Sequence, residues 1–187
     1  FSSANTPAEG EHKLLQYIRK RQKDGIESKY VIYGLDADLI FLALSTNASN
    51  MYLLREATHL KKDNSDGFDE LRLVNIDVMK KCIKKTVTSN LTRTILETYA
   101  KQQLIIDELE DDEEYNERDH INEIIETQQI SLSEEDKKLI PSEQNMIQDF
   151  IFICYLLGND FLPHLPALDI YSDGLDILLQ KYIEILS

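Results

Sequence analysis

An α/β fold with a mainly parallel sheet flanked by helices is what this sequence predicts, and three observations predict it. Tyr30-Val31-Ile32-Tyr33 is a short β-branched and aromatic run with turn residues on both sides, the pattern of a strand buried on both faces. Residues 39–44 follow as an apolar helical segment. Residues 51–54, after a loop over 45–50, form a second strand candidate. Strand, helix and strand in that order make a βαβ unit, whose two strands lie parallel. The 187 residues are enough for one domain with a sizeable core.

The other elements follow in chain order. Thr6-Pro7-Ala8-Glu9 has the form of a capping box, with Thr6 at the cap, Pro7 in the first helical position and Glu9 three residues on. The helix it predicts carries Leu14, Leu15, Tyr17 and Ile18 on one stripe, turns basic at Arg19-Lys20-Arg21 and stops at Gly25. Residues 61–69 read as a polar loop, and 74–87 and 91–106 as two amphipathic helices joined near Ser89-Asn90. Residues 107–119 hold nine acids and one base, Arg118, the composition of a solvated linker rather than a metal site. Residues 145–157 return to an apolar helix closed by Gly158, and 175–186 form a last helix. The chain thus divides into a core part over 1–60, a helical and acidic insertion or linker over 61–144, and a return to the core over 145–187.

Acids outnumber bases 34 to 20, for a formal net charge of −14. A surface of that sign excludes binding of polyanions through its bulk, so any nucleic-acid contact must be local, metal-mediated or supplied by another segment. Cys82 and Cys154 lack CxxC spacing and sit in apolar helical contexts, which reads as two buried free thiols in a reducing, intracellular setting. No stretch is long and apolar enough to span a membrane. Phe1-Ser2-Ser3 resembles the tail of a strand entered from upstream, so the chain is expected to be cut from a longer protein.

Five carboxylates in three short motifs carry the chemistry: Glu9-Gly10-Glu11, Asp36-Ala37-Asp38 and Gly158-Asn159-Asp160. Each motif lies at the start or end of an apolar segment, where a fold can aim it into a pocket. Two unit charges about 4 Å apart repel by about 4 kcal/mol at an effective dielectric of about 20, and a hard divalent cation with oxygen ligands cancels that repulsion. If Asp36 and Asp38 are extended, both point the same way at the carboxyl edge of a parallel sheet, where open α/β folds bind ligands. The plainer reading makes Asp38 only a helix cap. Glu9 and Glu11 share a site only at an irregular helix entrance, with Gly10 relieving crowding; otherwise they are a cap and a solvent-facing acid. Asp160, between apolar runs, is costly unless paired or metal-bound, or else it is an exposed turn residue. His164 reads as a hydrogen-bonded structural histidine.

Taken together, the surrounding residues are more specific than the acids. Pro7-Ala8-Glu9-Gly10-Glu11-His12-Lys13, Tyr33-Gly34-Leu35-Asp36-Ala37-Asp38-Leu39-Ile40 and Gly158-Asn159-Asp160-Phe161-Leu162-Pro163-His164-Leu165-Pro166 closely resemble the 5′→3′ exoribonuclease (XRN) family, in family order. Leu53-Leu54-Arg55-Glu56 and Asp149-Phe150 add to the match, which is weakest over 61–144. The resemblance implies a PIN/flap-nuclease-like core and places Glu9, Glu11, Asp36, Asp38 and Asp160 among the family's metal-binding, catalytic acids. It implies Mg²⁺ or Mn²⁺, as two ions that activate a water and stabilise the leaving oxygen. It also implies single-stranded RNA with a 5′-monophosphate as substrate, degraded to mononucleotides. Ala8 departs from the glycine usual there, a change expected to do little harm. The remaining acids and the basic 5′-phosphate pocket are expected in an N-terminal segment missing here, without which these 187 residues should be inactive. A structure-selective DNA nuclease of the flap-endonuclease type and a non-catalytic scaffold of the same fold are the competing readings. The long Gly-Asn-Asp-Phe-Leu-Pro-His run disfavours the first, and the intact acids disfavour the second.

Overall fold

A computed structural model of the chain describes residues 2, 3, 5–56, 71–107, 121, 122, 125, 131–159, 162–166, 168 and 170–187, with side chains beyond 102 in the long helix excepted. The chain forms two compact units, one of Phe1–Cys82 with Ile147–Phe152 and one of Ile83–Met146 with Ile153–Ser187.

The first unit holds the predicted βαβ. Helix α1 (Gly10–Lys23) leads into β1 (Tyr30–Tyr33), α2 (Asp38–Leu44), β2 (Met51–Glu56) and β3 (Leu71–Asn75). Strands β1 and β2 run parallel, with Tyr30 opposite Met51 and Tyr33 opposite Leu54. β3 pairs antiparallel on the other side of β2, from Tyr52 opposite Asn75 to Glu56 opposite Leu71. Among the described residues the sheet is therefore three-stranded and mixed, not mainly parallel. Val74, which by periodicity starts a helix, lies in this strand instead, paired with Leu53. Leu71-Arg72-Leu73 alternates over too few residues to outweigh the helical pattern that follows, so β3 leaves little mark in the sequence.

Helices α1 and α2 pack together, and Leu15, Ile18, Leu39, Ala43, Leu44, Ile32, Met51 and Leu53 form the buried residues of this layer. Full burial of each of the larger side chains contributes about 1.5–3 kcal/mol. The expectation that β1 is buried on both faces is corrected: Ile32 is buried, whereas Val31 and Tyr33 are more than half exposed. Strand alternation puts them on the face away from Ile32, as it does Leu73 across the register. Half of the predicted α1 stripe is likewise exposed, at Leu14 and Tyr17, with Arg21 stacked 5.7 Å above the Tyr17 ring.

The capping box does not form. Thr6 donates its N–H to Ser3 in a turn, Ala8 takes a positive φ of 83°, and the helix begins only at Gly10. A residue with φ in that region cannot sit inside a right-handed helix, so Pro7 is not its first residue.

The two helices expected over 74–87 and 91–106 are one, α3 (Ile76–Asp107). Asn75 Oδ1 accepts from the Val78 N–H at 3.1 Å and starts it. Asp77 Oδ2 accepts from the Asn50 N–H at 2.7 Å and ties that first turn to the loop before β2. Ser89 and Asn90 do not break it because Val87, Leu91 and Ile95 recur at i, i+4 and i+8 on one buried face. That face is the core of the second unit, shared with Met146 of α5 (Glu143–Tyr155) and Ile183 of α6 (Gly174–Leu186). A short helix, α4 (Asp136–Leu139), precedes α5, whose cap Ser142 accepts from the Asn145 N–H at 3.2 Å. Cys154 is buried as expected, which pushes its thiol up to about 11, but Cys82 is exposed. No helix of the described residues is long and apolar enough to cross a membrane. The expected loop over 61–69 and the acidic run beyond Asp107 lie outside the described residues.

Candidate active site

Asp36 sits just past β1, where the ladder extends one residue further through the Gly34 N–H, 3.2 Å from Leu54 O. Arg55 donates to the carbonyl of Leu35 and holds the connection against β2. A Cβ on Gly34 would lie 2.6 Å from Leu39 Cδ2, and Leu39 is buried. A side chain at position 34 would force the buried Leu39, in the first turn of α2, to shift.

The two aspartates are not related by strand alternation. Ala37 is helical at φ −68° and ψ −36°, and Asp38 is the first residue of α2. Asp36 Oδ1 accepts the Asp38 N–H at 3.0 Å, an Asx turn. Asp36, rather than Asp38, is therefore the capping acceptor of α2.

Glu9 precedes α1 with an extended backbone, φ −69° and ψ 160°, and its side chain makes no capping bond. Its Oε2 lies 3.8 Å from His12 Nδ1. His12 is a site neighbour that the motifs alone do not single out, although its i+3 spacing from Glu9 marks adjacent positions on a helix surface. Glu11, one turn-step into α1, is half-buried. Its carboxyl pKa is raised, first by partial burial and then by the charges of Asp36, Glu9 and Asp38, with His12 opposing. The charges of three carboxylates thus bear on Glu11, and all four acids, from two motifs, lie within the first unit. Among the described residues no group of three or more His, Cys, Asp or Glu side chains is arranged to hold a metal ion.

Gly10 has open space where a Cβ would stand, with no protein atom within 4 Å. Ala8 at φ +83° occupies a conformation that costs an L-residue about 1–2 kcal/mol. The substitution of alanine for the glycine expected there is not harmless. Ala8→Gly is expected to raise unfolding stability by about 1 kcal/mol, the strain relieved less the extra unfolded-state entropy of glycine, as read by denaturant titration.

Asp160 lies outside the described residues. Its flanks are described, in the second unit. Gly158 has φ +86°, Asn159 N–H donates to Leu162 O at 2.9 Å, and Leu162 N–H donates to Asn159 Oδ1 at 2.7 Å. Leu165 N–H returns to Leu156 O at 3.1 Å, and His164 Nδ1 lies 3.1 Å from Leu165 O, a local structural contact.

Two family descriptions match the chain: "XRN 5′-3′ exonuclease N-terminus" over residues 1–57 and "Xrn1 helical domain" over 141–187. Among curated proteins, the chain is similar to "5′-3′ exoribonuclease 2" of Debaryomyces hansenii, at 32% identity over 96% of this chain. The proteins of that name from Candida albicans and Saccharomyces cerevisiae are each 34% identical over 96% of it. The chain spans 16% of the length of each of these relatives. Glu9, Glu11, Asp36 and Asp38 all lie in the first matched segment and Asp160 in the second. With both segments matched in order and relatives alike over nearly its whole length, the chain belongs to the XRN 5′→3′ exonuclease family.

Proposed function

We propose that this chain supplies metal-holding acids to the active site of a longer enzyme, which degrades RNA bearing a 5′-monophosphate one nucleotide at a time. The observation that carries this reading is Glu11, half-buried and in the field of Asp36, Glu9 and Asp38. Like charges that bear on one carboxyl favour a cation among them, and carboxylate oxygens are the donors that Mg²⁺ and Mn²⁺ prefer. Glu9, Glu11, Asp36 and Asp38, with Asp160 from the second matched segment, are the residues that would hold two such ions. When bound, a metal pair supplies an activated water and charge neutralisation at the leaving oxygen of a phosphodiester.

The chain's own residues do the positioning. The Asp38 N–H fixes one oxygen of Asp36 and leaves the other for a ligand. His12 stands beside Glu9 and Lys13 bonds the Ser3 carbonyl at 3.2 Å, so the entrance to α1 is held on both sides. None of the acids acts as a nucleophile. With a net charge of −14, the chain does not itself supply an RNA groove, and the cations that select a 5′-phosphate are placed in the rest of the polypeptide.

The test is degradation by the full-length polypeptide of RNAs that differ only at the 5′ end. A 5′-monophosphate should be consumed with Mg²⁺ or Mn²⁺, and a 5′-triphosphate or cap should resist. Equal rates on all three ends would defeat the substrate assignment.

Glu11 adds a pH signature. A carboxyl whose pKa is raised on folding costs stability as pH rises from its unfolded value through its folded one, and the cost is fully present above the folded value. Glu11→Gln should therefore be more stable than the parent at neutral pH without metal. It should also lose metal-induced stabilisation, which for the parent is about 2.7 kcal/mol at a hundred times Kd. Parent metal affinity should weaken on acidification at a pH above that of an ordinary glutamate. Thermal melts with and without Mg²⁺ across pH measure both, and a Glu11→Gln variant stabilised by Mg²⁺ as much as the parent would remove Glu11 from the site.

A further inference from the structure

We infer that Ser133 is a phosphorylation site for an acid-directed serine kinase, and that its phosphate springs a latch by which residues 131–139 are fastened to α3. The latch is built on Asp136, a buried carboxylate with no part in the acid site. Both its oxygens accept from the Tyr99 hydroxyl of α3 at 2.8 Å. Oδ2 also accepts from the Ser133 N–H at 2.8 Å and from Ser133 Oγ at 2.5 Å, and the Asp136 N–H donates back to Ser133 Oγ at 3.1 Å. Ser133 and Asp136 are thus a reciprocal capping box whose acid is also gripped by a tyrosine from another helix. Ser133, through its hydroxyl, and then Tyr99 hold the Asp136 carboxyl below its usual range. Leu132 of the segment and Ile140, the residue that follows it, pack against Val87, Leu91, Ile95, Met146 and Ile183.

Three properties make Ser133 a substrate. It is exposed, although the carboxylate it bonds is 8% exposed. It is followed by Glu134, Glu135 and Asp136, three successive acids that complement a kinase with a basic substrate groove. It belongs to a short segment held by side-chain bonds rather than by a long helix or a sheet, so local opening is cheap and presents Asp136 as well. In the reaction Ser133 Oγ attacks the γ-phosphorus of ATP. The new O–P bond forms as the bridging bond to the β-phosphate breaks, ADP leaves, and the hydroxyl proton passes to the kinase base.

The product cannot close again. A phosphoserine carries about −1.5 to −2 charges at neutral pH, and the closed form would hold it within hydrogen-bond distance of a carboxylate. One of the three donors to Asp136 Oδ2, the Ser133 hydroxyl, is also gone. Phosphorylation therefore traps the open state and bares the apolar residues that Leu132 and Ile140 cover. This is independent of the reaction assigned to the acids of the first unit.

The test uses the full-length polypeptide, an acid-directed serine/threonine kinase, Mg²⁺ and ATP, with tandem mass spectrometry to place the phosphate and hydrogen exchange to follow amides 131–139. Phosphate is expected on Ser133, with exchange of those amides about tenfold faster or more once it is present. Glu135→Gln, a change at an exposed residue outside the hydrogen-bonded box, should slow modification. Tyr99→Phe, which loosens the grip on Asp136, should speed it, an effect absent for an ordinary surface serine. An intact polypeptide left unmodified where a free 131–139 peptide is phosphorylated would overturn the proposal. So would unchanged exchange after phosphorylation, or equal rates for Tyr99→Phe and the parent.

Discussion

Asp36→Asn in the full-length polypeptide is expected to abolish RNA degradation and, without metal, to leave unfolding stability no lower than the parent's, because it also relieves the repulsion on Glu11. The two halves of this result separate two roles of one side chain. Asn keeps the side-chain oxygen that accepts the Asp38 N–H at 3.0 Å, and asparagine caps helices as well as aspartate does. The Asx turn and α2 therefore persist. What is lost is a negative charge beside Glu11, and with it an oxygen ligand of the kind a divalent cation requires. Even outer partners of metal ligands cost about 10–100-fold when removed, so the loss of activity should be about a hundredfold or more. Asp36→Ala should lose activity equally and about 1 kcal/mol of stability besides, as the cap acceptor disappears. Single-turnover decay of a 5′-monophosphorylated RNA and a denaturant titration of each variant measure the pair of effects. An active Asp36→Asn enzyme would reduce Asp36 to a helix cap.

Gly158→Ala carries the largest structural effect. Its φ of +86° costs an L-residue about 1–2 kcal/mol. The added Cβ would also meet His164 N at 2.7 Å and His164 Cα at 3.0 Å, which are backbone atoms that cannot swing aside. The 158–164 turn must open, and the bonds between Asn159 and Leu162, on either side of Asp160-Phe161 in sequence, are strained with it. Both stability and turnover should fall. Gly25→Ala is the control: Gly25 has φ +69° but no atom within 4 Å of the added Cβ, so it carries the strain alone and none of the collision. A Gly158→Ala variant no less stable than Gly25→Ala, by chemical denaturation, would show that the turn does not need its glycine.

Much of this molecule is legible in its amino-acid sequence. The βαβ order, the apolar runs and Gly158 as a helix terminator rest on local physics, namely side-chain periodicity and a left-handed backbone that favours glycine. The acids at element ends are likewise visible, because short motifs keep their residue types whatever they pack against. Local pattern fails where distant contact decides. β3 exists because β2 offers it an edge, and α3 runs through Ser89-Asn90 because Val87, Leu91 and Ile95 share a buried face with Met146 and Ile183. A capping box at Thr6 is sound by pattern and loses to the positive φ of Ala8. The Ser133–Asp136 box is as local in pattern as the one at Thr6, but what gives it weight is Tyr99, 37 residues away from Asp136. The sequence by itself determined the family, the order of the first strand, helix and strand, and which acids are candidates. Only tertiary structure decided that Glu11 feels Asp36 and Asp38, that Asp36 is the capping aspartate, and that the sheet is mixed, since each depends on which remote groups the chain brings within reach.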